Sequence, residues 1–172
     1  MDSVNARQGL FERIARLRSF GENAASFWKE FASVASELVE AERVSLLIRS
    51  TAGSEWRRIG AAGENRTGAR SAAKFNRQLP ELASEAAAHG NVLSELEAGP
   101  LPERADTALG LRLRVGNAGE TVVFLALLTN VSRDAVKNAL ESLTLISDVP
   151  EAYLLNQTVG KAEGEVRKFS IV

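Results

Sequence analysis

The chain has 172 residues, with 21 lysines and arginines against 22 aspartates and glutamates, one histidine and no cysteine. The absence of thiols excludes disulfides, cysteine metal sites and cysteine-linked chromophores, and His89 alone cannot build a histidine-rich metal site. A net charge of -1 provides no basic field of the kind that holds nucleic acid, so no nucleic-acid partner is expected.

Charged residues interrupt the apolar segments of the chain. Arg7, Glu12 and Arg13 are among those that leave no apolar h-region of a secretory signal near the N-terminus. The longest apolar run, residues 122–128, is far shorter than the roughly 20 residues that a membrane helix needs. We therefore expect no membrane segment in this chain, and the lack of cysteine is compatible with a cytoplasmic location.

Two helices and a hairpin are predicted first. Apolar residues at helical spacing indicate a short amphipathic helix over residues 4–19 and a longer one, with an aromatic face, over residues 23–42. The period changes to two over residues 43–50, which indicates a strand. Residues 56–62 resemble a strand that returns beside it, so these two segments are predicted to form a hairpin.

A long connection follows the hairpin. Residues 63–90 lose the strand alternation and contain alanine-rich helical pieces, which are predicted to be split near Pro80. Residues 91–97 are a short strand candidate. His89 stands where the helical segment ends, and a cationic imidazole is favourable there, so we interpret it as a helix cap rather than a catalytic group.

A second hairpin is the clearest pattern in the chain. Residues 109–115 carry leucine and valine on one parity, with Arg112 and Arg114 on the other, which predicts a strand with one apolar face. Residues 121–129 form a continuous apolar run, as expected for a central strand that is covered on both faces.

The last helix is predicted to begin after Ser132, its N-cap, and to bend at Pro150. The charged tail beyond this helix ends on a new group of apolar residues, which predicts a further domain in a longer protein. We therefore divide the chain into an N-terminal helix (1–22), one domain (23–157) and a linker (158–172).

This order of helix, hairpin, mixed connection, strand, hairpin and helix resembles the GAF domain, a small-molecule sensing module of signalling proteins. The resemblance covers residues 24–156. It is carried by Phe31 to Arg49, a helix that runs into a strand, and by Leu109 to Leu128, the last hairpin. It implies an α+β, profilin-like and PAS-related fold, in which an antiparallel sheet has terminal helices on one face. The other face would hold a pocket, roofed here by residues 64–106.

Known ligand subtypes of the family differ from this sequence. Bilin-binding GAF domains attach the chromophore through a cysteine, which this chain lacks, and haem-binding ones need an axial ligand, for which only His89 is present. We therefore expect no cofactor, neither bilin nor haem. The cyclic-nucleotide subtype carries Asn-Lys-Phe-Asp-Glu, and Ala73-Lys-Phe-Asn-Arg77 is only a coincidental match.

Candidate ligand residues lie on the expected pocket face. If the leucines of the 109–115 strand pack on the terminal helices, Arg112 and Arg114 point into the pocket, where guanidinium groups favour an anionic ligand. The alternative is that they are solvated or paired with an acid. The acids considered are Glu55, Glu95 and Glu120. The remaining candidates, for which simple packing is the alternative, are Trp56, Arg58, Phe75 and Leu79.

Two functions remain, since the chain shows no hydrolase elbow, phosphate loop, dinucleotide fingerprint or zinc-protease motif and is not expected to be an enzyme. One is a sensory domain that binds a small molecule and relays the change through its helices. The other is a ligand-free fold that serves as a dimerisation or protein-interaction module. A surplus of apolar helix surface predicts a homodimer in either case. The predicted interface residues are Phe11, Ile14, Leu17, Leu143, Ile146, Tyr153 and Leu154.

Overall fold

The computed structural model describes residues 2–50, 54–63, 70–115 and 119–157. The elements in chain order are α1 (Asp2–Arg18), α2 (Ala24–Val39), β1 (Arg43–Arg49), β2 (Arg57–Ala62), α3 (Arg70–His89), β3 (Asn91–Ala98), β4 (Arg104–Leu113), β5 (Thr121–Ser132) and α4 (Arg133–Leu145). A further helical segment covers residues 149–157. The predicted linker, residues 158–172, lies outside the described residues.

The five strands form one antiparallel sheet in the order β2-β1-β5-β4-β3. Both predicted hairpins are present, and β5 pairs with β1 as well as with β4. Residues 122–128 of β5 are all buried, because this central strand is covered on both faces, as its continuous apolar run predicted. The α+β fold class is confirmed.

The terminal helices occupy one face of the sheet. α2 and α4 pack against the strands, and α1 packs on α2. Leu109, Leu111, Leu113 and Val115 belong to the core beneath these helices, which confirms the predicted parity of their strand. Phe27 of α2 is fully buried there.

Two helix starts follow from capping side chains. The Asn23 side-chain oxygen accepts a hydrogen bond from the backbone N–H of Ser26 at 2.9 Å and so begins α2. The Ser132 hydroxyl accepts one from the backbone N–H of Ala135 at 3.2 Å and begins α4, as predicted. Each cap satisfies one of the N–H groups that a helix start leaves without an intrahelical partner.

The prediction that Pro80 splits the long connection into separate helical pieces is wrong. α3 runs without interruption from Arg70 to His89 and contains Pro80 within it. The proline ring lies on the exposed side of the helix, while Phe75, Leu79 and Leu82 anchor the opposite side to the sheet. Tertiary packing therefore outweighs the loss of one intrahelical hydrogen bond.

The predicted bend at Pro150 is also displaced. α4 ends at Leu145 and is capped by Ile146, and the next helical segment begins at Val149. Pro150 thus stands in the first turn of the second segment rather than inside a bent helix. A proline costs little there, because the first N–H groups of a helix have no intrahelical partner.

α3 packs on the opposite face of the sheet, against β3, β4 and β5. It approaches the sheet closely at the buried Gly110, where an added Cβ would lie 2.6 Å from Val92 Cγ1, 2.8 Å from Leu125 Cδ2 and 3.3 Å from the Ala86 Cβ of α3. The two faces of the sheet therefore have separate apolar cores, one under the terminal helices and one under α3.

Candidate functional site

A groove lies on the α3 face beside the flank of the sheet that β1 and β2 form. Since α3 packs mainly on β3, β4 and β5, this flank extends beyond the helix. The groove has a volume of about 290 Å³. Its described lining residues are Arg43, Val44, Ser45, Arg58 and Asn76. We call it the lateral groove.

Strand alternation explains why these side chains meet. Arg43 and Ser45 have the same parity in β1 as Leu47, which packs in the core under α3. Leu47 pairs with Arg58 of β2, and directly paired residues project to the same face of a sheet. Asn76 reaches the groove from α3.

The lateral groove is basic and partly dehydrated. Two of its described lining residues are arginines, and none of them is acidic. Ser45 is only 4% exposed, and the Nε atom of Arg43 is buried. A guanidinium group presents forked donors that match carboxylate or phosphate oxygens, and its attraction for an anion is stronger where water is excluded.

The predicted ligand residues do not gather in one place. Arg58 lines the lateral groove, whereas Phe75 and Leu79 are buried in the core between α3 and the sheet. Trp56 packs at the edge of that core, and its Nε1 donates a hydrogen bond to the Ser84 hydroxyl of α3 at 3.1 Å. Arg49 lies over the Trp56 ring at 4.5 Å from the centroid. Trp56 therefore joins the first hairpin to α3.

The structure separates Arg112 from Arg114. Arg112 lies on the α3 side, where its guanidinium donates a hydrogen bond to the Ala87 carbonyl at 3.2 Å. Arg114 lies beyond the last residue of β4, and its N–H bonds the Ser147 carbonyl, while its guanidinium is 3.7 Å from Glu151. Neither contact involves the acids named in the sequence analysis, because β4 ends at Leu113 and Arg114 reaches the 149–157 segment instead of a neighbouring strand.

Three polar residues of the lateral groove were missed by the sequence analysis, as was Val44. Arg43, Ser45 and Asn76 line it beside the predicted Arg58. The signal was present in β1, since Arg43 and Ser45 share one parity opposite Val44 and Leu46. What the sequence did not indicate is that α3 would leave this end of the sheet uncovered.

Most of the predicted dimer residues are covered within one chain. Ile14, Leu17, Leu143, Ile146 and Tyr153 are buried in the core under the terminal helices, and Leu154 packs partly against it. Phe11 alone among the seven stays exposed, at 63%. The sequence analysis treated these residues as more apolar surface than one sheet face requires. In the structure, α1 and the 149–157 segment also pack around α2, and this packing buries them.

An ion pair fastens the end of α1 to the start of the last helical segment. Both terminal nitrogens of Arg18 donate to the Asp148 carboxylate, at 3.0 and 3.1 Å. The Arg18 carbonyl accepts from the Asn156 side-chain amide at 2.6 Å, and the Glu22 carbonyl accepts from the Tyr153 hydroxyl at 2.8 Å. The C-terminal end of α1 and the last helical segment are therefore held side by side.

We expect the contribution of Asp148 to stability to disappear in acid. Hydrogen bonding from Arg18 holds the pKa of this carboxyl below its ordinary value of 3.8. A carboxyl with a lowered folded-state pKa stabilises the fold fully above the unfolded value and loses this effect as the pH falls through the folded one. Asp148→Asn should therefore be less stable at pH 7, by at most about 1 kcal/mol for so exposed a pair.

The measurement is urea unfolding of both proteins between pH 2 and pH 7. The difference in free energy of unfolding should shrink below pH 3.8. Arg18→Gln serves as the matched variant, because it removes the partner and leaves the carboxyl. A difference that stays constant over the whole pH range would contradict the role of this pair.

A second groove, of about 830 Å³, lies where the β3–β4 turn meets the start of α4. Its described lining includes the acids Glu95, Glu103 and Asp134 as well as Arg104 and Arg133. Because its charges are mixed, it does not favour anions as the lateral groove does.

Within the described residues, no helix is long and apolar enough to span a membrane, and no group of acidic and histidine side chains could hold a metal ion.

Comparison with known proteins places the fold. No protein-family profile matches the sequence, and no curated protein matches it. Among solved structures, the GAF domain of a protein described as a sensor histidine kinase from Pseudomonas syringae pv. tomato is 21% identical, with a TM-score of 0.57 over 95% of each chain. The nlh2 GAF domain of A. aeolicus is 10% identical, with a TM-score of 0.60 over 87% of this chain and 95% of that one.

The prediction that this chain takes no cofactor is wrong as an inference from its sequence. The phycoerythrobilin-bound GAF domain of a cyanobacterial phytochrome shares the fold, with 14% identity and a TM-score of 0.56 over 89% of this chain and 97% of that one. Lack of cysteine removes only a thioether link to a chromophore. It does not remove non-covalent binding of a cofactor, so the composition was given too much weight.

The geometry and the solved structures agree. A five-stranded antiparallel sheet carries terminal helices on one face and a connecting helix on the other, as the resemblance implied. The similarity extends over nearly the full length of this chain and of the solved domains. The chain has the GAF-domain fold.

Proposed function

We propose that this chain is a regulatory domain that binds a small molecule and passes the resulting change to its terminal helices. The observation that carries this proposal is the double role of β1. Arg43 and Ser45 line the lateral groove on one face, and Val44 and Leu46 pack under the helices on the other. A ligand that shifts β1 would therefore press directly on the core around α2.

β2 offers a second short path to α2. Gly60 of β2 lies so close to this helix that an added Cβ would be 3.0 Å from the Trp28 carbonyl oxygen. Arg58, two residues earlier, lines the lateral groove. Because packed interiors move as units, a change at Arg58 is expected to displace α2 rather than to be absorbed locally.

We further propose that the site binds without catalysis. Ser45 is the hydroxyl that lines the described groove, and His89, the only histidine of the sequence, lies at the far end of α3. A serine nucleophile needs a base within hydrogen-bond reach. This arrangement supports recognition rather than acyl or phosphoryl transfer.

The cytoplasmic location of the protein stays a prediction.

The helix relay is proposed to operate in a homodimer. Large apolar side chains are exposed on three separate terminal elements: Phe11 on α1, Leu145 at the end of α4 and Leu155 on the 149–157 segment. Exposed apolar side chains on helices are a common contact surface between copies of one chain. We therefore propose an interface that keeps Phe11 from the sequence-based prediction. Leu145 and Leu155 replace those predicted interface residues that the structure buries.

The dimer is tested by measuring the mass in solution at micromolar concentration. We expect twice the 18.5 kDa of the chain, and we expect the double variant Phe11→Glu/Leu145→Glu to be monomeric while keeping its helical circular dichroism. Leu93→Glu, on the edge strand β3, is the matched control because Leu93 is also an exposed leucine. A monomeric mass for the unchanged protein would contradict the dimer.

The second candidate function is a ligand-free interaction module. The close packing of α3 at Gly110 favours it, since the apolar core there fills the space between helix and sheet. A thermal-shift screen with charged and neutral metabolites separates the two candidates. A ligand that raises the melting temperature supports the sensor. If none does while the dimer persists, the interaction module is the better account.

A further inference from the structure

We propose that the ligand of the lateral groove is a compact anion with a carboxylate or phosphate group, held by Arg43 and Arg58. This inference rests on the proposed function, because it names the class of small molecule that the domain would sense. It also places the site beside α3, at the β1–β2 flank, instead of between α3 and the centre of the sheet.

The arrangement of the arginines supports an anion. Arg58 pairs with Leu47, and Arg43 lies four residues before Leu47 in β1, a backbone separation of roughly 13 Å. The two side chains therefore reach the same groove from opposite ends, with Ser45 between them. A ligand in the groove would meet a guanidinium at each end and a hydroxyl in the middle.

The surroundings strengthen this attraction. Ser45 is buried and the Nε of Arg43 is shielded from water, whereas Arg58 and Asn76 are exposed, so a charge interacts at a lower effective dielectric at the Arg43 end of the groove than on the open surface. Asn76 adds an amide that can donate to an anionic oxygen.

The size of the groove limits the ligand. Its volume of about 290 Å³ lies at the lower end of the roughly 300–1,000 Å³ that small-molecule sites span. It suits inorganic phosphate or an organic acid of a few carbons better than a nucleotide. Since a cation stands at either end, an anion with two charged groups should bind more tightly than one with a single group.

The test is calorimetric titration of the intact chain with inorganic phosphate, with succinate and with the neutral analogue succinamide. We expect phosphate or succinate to bind and succinamide not to bind. Arg58→Gln should weaken binding by about tenfold or more, because a hydrogen bond to a charged group is lost. Arg57→Gln is the matched control: Arg57 is the neighbouring exposed arginine, it pairs with Ile48, and it faces the other side of the sheet.

Each contrary result has a separate meaning. If neither phosphate nor succinate binds, the anion proposal is overturned. It is also overturned if Arg57→Gln weakens binding as much as Arg58→Gln does, since the attraction would then be that of the general surface. If a neutral metabolite binds and Arg58→Gln leaves its affinity unchanged, the anion proposal fails while the sensor function stands. The sensor function itself fails if no small molecule of any charge binds.

Discussion

Replacing Phe27 with alanine is expected to lower the free energy of unfolding by about 3–5 kcal/mol. Phe27 is fully buried at the point where α2 meets the 149–157 segment. Its ring stacks on Tyr153 with centroids 4.0 Å apart, and it contacts the edges of Trp28 at 5.0 Å and Phe20 at 6.0 Å. Truncation would remove these contacts together and leave a cavity that α2 cannot close without moving from the sheet.

Urea unfolding followed by far-UV circular dichroism measures this loss. Phe11→Ala is the matched control, since it removes the same side chain from an exposed position, and it should change stability by at most about 0.5 kcal/mol at protein concentrations where the chain is monomeric. Phe27→Leu should retain most of the stability because it keeps much of the volume. A loss below about 1 kcal/mol for Phe27→Ala would show that this core rearranges freely.

The elements that could be predicted are those whose signals are local. The apolar run 122–128 specifies a central strand, and Ser132 specifies the start of α4, because each depends on residues within a few positions. Pro80 shows the limit of such reasoning. Its local effect is to break a helix, but α3 is held by contacts with strands far away in sequence, which no window around Pro80 contains.

The candidate site was predicted only in part, for a similar reason. Parity correctly placed the apolar residues from Leu109 to Val115 under the terminal helices, but it did not place Arg114 in a pocket, because β4 ends at Leu113 and the Arg114 backbone bonds Ser147. Arg58 was found, but Arg43 was not. Its role depends on the lateral position of α3, which follows from how helix and sheet pack together and not from the pattern of β1.

The dimer residues illustrate how apolar surface can be counted twice. Ile14 and Leu17 looked surplus to one sheet face, but α1 packs on α2, and Tyr153 of the 149–157 segment stacks on Phe27 of α2. These contacts bury the apolar faces of the terminal helices within one chain. Exposed fractions, which only the structure provides, reduce the predicted interface to Phe11 and add Leu145 and Leu155 as new candidates.

Replacing Phe75 with alanine is expected to cost about 3–5 kcal/mol as well, and its effect should be confined to the other face of the sheet. Phe75 is fully buried beneath α3, in the core that also contains Val123 and Leu125 of β5. The Lys74 ammonium donates to the Leu96 carbonyl at 3.0 Å and the Ser71 hydroxyl to the Asp106 carboxylate at 2.7 Å, so the start of α3 is fastened to β3 and β4.

This variant distinguishes a fixed α3 from a movable one. If α3 stays packed on the sheet, Phe75→Ala should lower the free energy of unfolding in urea by several kcal/mol. Hydrogen exchange should then accelerate in α3 more than in α2. A ligand would then reach the protein at the lateral groove, beside α3. If the loss is below about 1 kcal/mol, α3 is weakly held and could lift to admit a ligand above the centre of the sheet. Phe75→Leu is the control that keeps an apolar anchor at the same position, and it should restore most of the lost stability because α3 would stay seated on β5.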